Sequence, residues 1–147
     1  MTWDNHTKII CNKVSRATGV MRILTSFLAR PTLLVIYHSL IACYLTNNLL
    51  IWGNNTQLAF NLQKKAMRVM DRKHYLAHTT RIFHSYKILK LPDLYTLQLL
   101  KFYYKFKHAT LPSSLLTLNL KTNSDYHSYN TRNCHRLAFP AHKHVFL

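Results

Sequence analysis

The sequence predicts an all-α fold, a small bundle of about four main helices followed by a loosely structured C-terminal tail. Only two glycines and four prolines occur in the 147 residues, which disfavours a turn-rich β architecture. Hydrophobic residues make up 48% of the chain, enough apolar surface to form a core. These residues recur every three or four positions through several long stretches, which is the period of amphipathic helices.

The first helix is predicted from Lys8 to Leu28, because its apolar residues fall at i, i+4, i+7, i+11, i+14 and i+18 on one face. This stripe consists of Ile10, Val14, Ala17, Met21, Leu24 and Leu28. Three basic residues lie off the stripe: Lys13, Arg16 and Arg22. The helix should therefore bury one face and expose a basic one.

The second helix, residues 32–46, is predicted to be the centre of the fold. Pro31 suits its first turn, where the missing amide hydrogen costs nothing. The residues expected to face inward are Leu33, Ile36, Tyr37, Leu40 and Tyr44. Because Leu34, Val35 and Ile41 make the other faces apolar as well, this helix should be the most buried. It should break near Asn47-Asn48.

A turn at residues 52–55 separates this helix from a third one, predicted from Leu58 to Met70. Its expected inward residues are Leu58, Leu62, Ala66 and Val69. Residues 74–79 are predicted to form a connector, followed by a short helix near Arg81–Tyr86.

The fourth long helix opens at Leu91 and ends by Pro112, with Asp93 in its first turn. Its core stripe is predicted to be Leu91, Tyr95, Leu99, Phe102 and Phe106, and its separate basic stripe Lys101, Lys105 and His108. Beyond Thr117 the pattern decays into polar residues. We therefore predict a helical region, residues 1–116, and a polar basic tail, residues 117–147, that is extended or flexible.

The charge of the chain is strongly unbalanced. Twenty Lys and Arg residues face four Asp residues and no Glu, giving a net charge of +16. Most of these cations cannot pair with a carboxylate of the chain, so we expect the basic surface to bind an external anion. Nucleic acid is the first candidate partner and anionic lipid is the second.

Several kinds of chemistry are missing from the sequence. Two glycines are too few for a phosphate-binding glycine-rich loop, and the four aspartates are too scattered for a two-metal site. Three cysteines without a C-x-x-C motif fit neither a disulfide framework nor a zinc ribbon. Residues near the C-terminus that could bind a metal have irregular spacing: His127, Cys134, His135, His142 and His144. We predict no catalytic centre, no metal site and no cofactor.

A membrane span is also disfavoured. Residues 32–52 come nearest to one, but polar residues interrupt them, and the longest apolar run is shorter than the ~18 residues that a span needs.

Six segments carry a resemblance to a known family. They are "TWDNHTKIICNKVSRATGVMRIL" (2–24), "ARPTLLVIYHSLIACYLTNNLLIWGN" (29–54), "LQKKAMRVM" (62–70), "HYLAHT" (74–79), "LKLPDLYTLQLLKFYYKF" (89–106) and "HSYNTR" (127–132). In this order they resemble the region after the catalytic palm in reverse transcriptases of non-LTR retrotransposons, of the jockey-like or LINE type.

The resemblance implies the thumb and helical connector of an RNA-directed DNA polymerase. In that family this part holds the template–primer duplex of RNA and DNA, and the Mg²⁺-binding aspartates lie upstream in the palm. No catalytic residue is therefore carried over to this chain. The resemblance also implies an element ribonucleoprotein in the nucleus and cytoplasm.

The sequence assigns phosphate contacts to seven basic residues. They are Arg16, Lys64, Arg68, Lys101, Lys105, His108 and Arg132. Two other interpretations stay open. One is a membrane-surface protein with residues 32–52 inserted in the lipid. The other is an inert remnant of a decayed element, because the absence of Glu, the short tail and Asn47-Asn48 depart from the family pattern.

Overall fold

The computed structural model describes residues 3–116, 123–126, 129 and 132. Within these residues the regular secondary structure is entirely helical, which confirms the predicted all-α fold. The helices are α1 (Asp4–Leu24), α2 (three consecutive segments, Arg30–Ile36, Tyr37–Ala42 and Cys43–Thr46), α3 (Leu49–Trp52), α4 (Gln57–Met70), α5 (Thr80–Ser85), α6 (Leu91–Lys107) and α7 (Ser113–Leu116). Short 3₁₀ turns occur at Gly53–Asn55 and Asn123–Asp125.

The chain divides into two compact units, Met1–Tyr103 and Tyr104–Leu147. The boundary between them falls inside α6. Most of the predicted tail, residues 117–147, lies outside the described residues.

The core of the first unit forms where α1 packs along α4. On α1, Ile10, Val14 and Met21 are buried, and the other members of the predicted stripe pack against the same core. The stripe predicted for the first helix is therefore confirmed. On α4, Ala59, Ala66 and Met67 are fully buried in the same core.

Helix α2 contains a π-helical segment, Tyr37–Ala42, that the sequence did not predict. The buried residues of α2 are Leu33, Tyr37, Ile41 and Leu45, each four positions after the last. In an α-helix, each of these residues would lie about 40° further around the helix axis than the one before it, so the series would rotate away from the core. The wider turn of the π segment rotates the chain less per residue, so it returns Ile41 and Leu45 to the core.

The predicted inward face of α2 is consequently wrong at one position. Leu40 was expected to face the core but is 39% exposed, whereas its neighbour Ile41 is buried. The expected all-round burial is wrong as well, since Val35 is 67% exposed. The all-round apolar pattern overestimated how much of α2 other helices cover.

The predicted break after α2 is confirmed. Asn47 is extended and Asn48 adopts the left-handed conformation, with φ of 52°, which asparagine tolerates better than most residues. The indole Nε1 of buried Trp52 donates a hydrogen bond to the carbonyl oxygen of Asn47 at 2.8 Å. This bond closes the turn between α2 and α3.

Glycine is required at position 53 by its surroundings. A Cβ atom on Gly53 would overlap Cδ2 and Cε2 of Tyr95, so the absence of a side chain lets the first turns of α6 lie against this turn.

The predicted inward register of α4 is partly wrong. Leu58 was expected in the core but is 54% exposed, and Ala59 is buried instead. The buried residues of α4 are Ala59, Gln63, Ala66, Met67 and Met70. Ala66 is the predicted inward residue that is fully buried, while Leu62 and Val69 pack at the edge of the core.

Gln63 sets this register because its amide group links three parts of the first unit. Its Nε2 donates to the Tyr37 hydroxyl and to the Leu89 carbonyl, both at 3.1 Å. Its Oε1 accepts a hydrogen bond from the amide of Leu91 at 2.9 Å. A buried amide with these partners avoids the cost of desolvation without hydrogen bonds.

Helix α6 is less buried than predicted. It buries Leu91, and Leu94 and Tyr95 pack against the core. Leu99 was expected in the core stripe but is 47% exposed, and Phe102 and Phe106 are partly buried. In the first unit, the packing of α6 against the core is concentrated in its first turns. The prediction that Asp93 lies in the first turn of this helix is confirmed.

Candidate nucleic-acid interface

A basic cleft of about 550 Å³ lies between the end of α1 and the exposed side of α4, within the first unit. It is lined by Arg22, Thr25, Asn61, Lys65, Arg68, Val69, Arg72, Lys73 and Tyr75. Five of these residues are cationic, and no acidic residue is among the described residues that line the cleft. Clefts lined by one sign of charge concentrate the field and attract counter-ions.

Arg72 joins the two sides of the cleft. It follows α4 in the left-handed conformation, with φ of 54°. Its Nη2 donates hydrogen bonds to the Thr25 carbonyl and, at 3.0 Å, to the Leu28 carbonyl. Carbonyls at the C-terminal end of a helix lack intrahelical partners and favour a nearby cation. Arg72 therefore fastens the turn after α4 to the end of α1.

Arg68 fixes the loop that borders the cleft. Its Nε donates to the carbonyl of Ala77 at 2.8 Å, and its own carbonyl accepts a hydrogen bond from the amide of Lys73 at 2.9 Å. Between these two anchors, the amide of Ala77 donates to the carbonyl of His74 at 3.0 Å and closes a turn. Tyr75 lies in this turn with 72% of its side chain exposed.

The other three cations of the cleft are Arg22, Lys65 and Lys73, and all three are exposed. The charged side-chain groups of these three residues form no hydrogen bond or ion pair with the residues that the structure describes. They are therefore the cations available to an external anion. Arg68 and Arg72 shape the cleft and add their charge to it.

The nearest acidic residue in sequence, Asp71, has other partners. In the described part of the chain, the single ion pair joins Arg30 and Asp71 at 3.8 Å. Asp71 also accepts a hydrogen bond from the Tyr86 hydroxyl at 3.1 Å. Burial and the Asp71 carboxylate together raise the pKa of Tyr86. The Asp71 carboxylate is thus directed to Arg30 and Tyr86.

The structure places the predicted contact residues of the first unit in different settings. Arg68 lines the cleft. Lys64 is partly buried, with its Nζ 4.1 Å from the centroid of the Phe60 ring. Arg16 on α1 and Lys101 on α6 are exposed but do not line the cleft.

The remaining predicted residues belong to the second unit. Lys105, His108 and Arg132 are exposed there. The ring of His108 lies 4.2 Å from that of Tyr104, measured between centroids.

Sequence reasoning missed four cations of the cleft, namely Arg22, Lys65, Arg72 and Lys73. Part of this group could have been found, because Lys65, Arg68 and Arg72 follow the i, i+3, i+7 spacing of one helix face. Arg22 joins them only through the packing of α1 on α4.

Among the described residues, no three His, Cys or Asp side chains converge as they would around a metal ion. His127, Cys134, His135, His142 and His144 lie outside the described residues. No helix in the described ranges has the length and apolar character needed to cross a bilayer.

Comparison with known proteins gives no relative for this chain: no protein-family model, curated protein sequence or solved structure matches it. The resemblance to retrotransposon reverse transcriptases therefore rests on the six quoted segments and stays a hypothesis.

Proposed function

We propose that this chain is a nucleic-acid-binding helical region of a non-LTR retrotransposon reverse transcriptase. It holds the template–primer duplex of RNA and DNA through phosphate contacts and has no catalytic centre of its own. Mg²⁺ chemistry belongs to the palm of the parent polymerase, which acts within an element ribonucleoprotein in the nucleus and cytoplasm. The observation that carries the nucleic-acid part of this proposal is the basic cleft between α1 and α4.

The cleft suits phosphate for three reasons. Arg22, Lys65 and Lys73 are exposed and have no carboxylate partner among the described residues. Thr25 and Asn61 add neutral hydrogen-bonding groups to the lining, of the kind that often contact phosphate oxygens. The net charge of +16 extends the attraction beyond the cleft, which speeds association with a polyanion.

The predicted residues outside the cleft are proposed as additional phosphate contacts. Arg16 and Lys101 are exposed in the first unit, and Lys105, His108 and Arg132 are exposed in the second. Lys64 should contribute less than these, because its ammonium group already lies against the Phe60 ring.

The salt dependence of binding tests this proposal. Fluorescence anisotropy of a labelled RNA–DNA hybrid duplex would be measured at several salt concentrations. Each phosphate contact contributes about −0.9 to the slope of log K against log salt, so five engaged cations give about −4 to −5. The triple variant Arg22→Gln/Lys65→Gln/Lys73→Gln should reduce the magnitude of this slope by about 3.

A matched control removes the same charge elsewhere. Lys8, Arg81 and Lys87 are exposed cations of the first unit that do not line the cleft. The triple variant Lys8→Gln/Arg81→Gln/Lys87→Gln should keep most of the slope. Equal losses in both triple variants would show that net charge, and not the cleft, governs binding.

Two further measurements, vesicle binding and a thermal melt, separate the two other interpretations. Binding to vesicles of anionic lipid without binding to the duplex would favour the membrane-surface protein. A chain with no cooperative thermal transition by circular dichroism would favour the inert remnant.

A further inference from the structure

The basic cleft is bordered by an exposed aromatic ring, whose face phosphate contacts do not use. Tyr75 is 72% exposed and lines the cleft together with Lys65 and Lys73. Its hydroxyl can donate a hydrogen bond to a phosphate oxygen, but its ring also presents a flat apolar face. Its neighbour Leu76 is 68% exposed, so the turn presents adjacent apolar surface to solvent.

The Tyr75 ring is held in place although it is exposed. The turn that carries it is closed by the hydrogen bond from Ala77 to His74, and Arg68 anchors the Ala77 carbonyl to α4. The His74 ring lies 4.5 Å from the Tyr75 ring between centroids, at an interplanar angle of 48°. A ring supported in this way loses less conformational freedom on binding than one in a loose loop.

An exposed aromatic ring beside cations is the arrangement that binds unpaired nucleotides. Bases in a duplex are already stacked on their neighbours, so a base must be unpaired before it can stack on a side chain. Single-strand-binding proteins combine a basic groove for the backbone with aromatic rings for the bases. The cleft volume of about 550 Å³ lies within the ordinary range of small-molecule sites, about 300–1,000 Å³, which is large enough for one nucleotide.

We propose that the cleft binds an unpaired nucleotide next to the duplex. The base stacks on Tyr75, and the phosphates on either side contact Arg22, Lys65 and Lys73. This inference rests on the proposed function and specifies its ligand, a duplex with a single-stranded extension. Arg68 and Arg72 are the positioning residues, because they hold the loop and the end of α1 in place through backbone carbonyls.

The test uses the full chain and three labelled probes that share one duplex. The first probe is blunt, the second has a short single-stranded extension, and the third has an abasic extension of the same length. The abasic probe supplies the same phosphates without bases, so the difference between the last two probes measures stacking alone. We expect the extension with bases to bind about tenfold more tightly than the abasic one.

Substitutions then assign the difference to Tyr75. Tyr75→Ala should abolish the tenfold difference between the two extended probes, whereas Tyr75→Phe should keep it. Tyr104 is a matched control, because it is 64% exposed and its ring also lies against a histidine, His108, outside the cleft. Tyr104→Ala should keep the tenfold difference. A thermal melt of each variant verifies that it is folded.

The outcomes distinguish this inference from the proposed function. Equal binding of the two extended probes by the unchanged protein would overturn the stacking inference, even if all probes bind with a steep salt dependence. A difference that survives Tyr75→Ala would overturn it as well. If none of the probes binds at low salt, the proposed function itself fails.

Discussion

The α1–α4 pair and helix α6 have similar sequence patterns but different degrees of burial. Each has an apolar stripe and a separate set of basic residues. In the first pair, Val14, Met21 and Met67 are fully buried, whereas in α6 Leu99 and Leu100 are 47% and 58% exposed. The difference lies in the partner, because α1 packs along α4, whereas the packing of α6 against the core is concentrated in its first turns. A periodic stripe therefore gives the side that a helix can bury, and a complementary neighbour decides whether it does.

The basic residues of the two regions differ in the same way. One or two basic residues from each of α1, α4 and the loop after α4 line one cleft, while Lys101 of the first unit is exposed on α6 and does not line it. A row of cations is common on solvated helix faces. The cleft is the stronger candidate because cations from separate segments meet there and arginines fix its shape.

Truncation of the core should show the largest difference between these regions. Met67 lies on α4 with no exposed surface, and Met67→Ala should lower the free energy of unfolding by about 2–5 kcal/mol through the cavity it leaves. Leu99→Ala on α6 should cost less than about 1 kcal/mol, because exposed side chains contribute little to the core. Urea denaturation followed by circular dichroism measures both values. Similar losses would contradict the contrast drawn between the helices.

Unlike the rest of α6, its first turns pack against the core. A substitution at Gly53, which lies against Tyr95, tests this packing. Gly53→Ala should lower the free energy of unfolding by about 1–3 kcal/mol, because the new methyl group overlaps the Tyr95 ring. Removing the ring with Tyr95→Ala should relieve the overlap, so the second substitution should cost less in the Gly53→Ala background than alone. A double-mutant cycle measures this coupling. Strict additivity would mean that the two residues are not in close contact.

The pH dependence of stability tests the burial of a core tyrosine, Tyr37. Burial raises the pKa of Tyr37, although the hydrogen bond from Gln63 opposes the shift. The unfolded chain then loses its Tyr37 proton first, near the ordinary pKa of about 10. The contribution of neutral Tyr37 to the free energy of unfolding is therefore fully present below about pH 10. It is lost as the pH rises through the higher pKa of the folded state.

Tyr37→Phe should make this alkaline loss of stability less steep, by at most about 1.4 kcal/mol per pH unit. Chemical denaturation at a series of pH values from neutral upwards measures the slopes for the unchanged protein and for Tyr37→Phe. Identical profiles for the two proteins would argue against a pKa effect at Tyr37.

The sequence predicted the helices better than their buried faces. Periodicity located α1 and its stripe, and Asn47-Asn48 located the end of α2. The register of α4 was partly wrong because the burial of Gln63 depends on Tyr37 and Leu91, 26 and 28 residues away in sequence. No local pattern reveals such partners, and a polar residue alone suggests an exposed position.

The candidate site was predictable to a similar extent. The excess of cations indicated an anionic partner, and the helical spacing of Lys65, Arg68 and Arg72 identifies three of the five cleft cations. Arg22 and Tyr75 reach it from α1 and from the loop after α4. Their positions depend on helix packing and on the hydrogen bonds of Arg68 and Arg72, which a linear pattern does not encode.

The π segment of α2 also determines where this helix can change in length. A π turn contains one residue more than an α turn, so deleting a residue such as the exposed Ser39 would leave an ordinary α-helix there. Leu45 would still face the core. The same deletion in an α-helical segment would rotate all following residues by about 100°. Tyr37–Ala42 is thus the part of α2 in which loss of a residue is compatible with the present core.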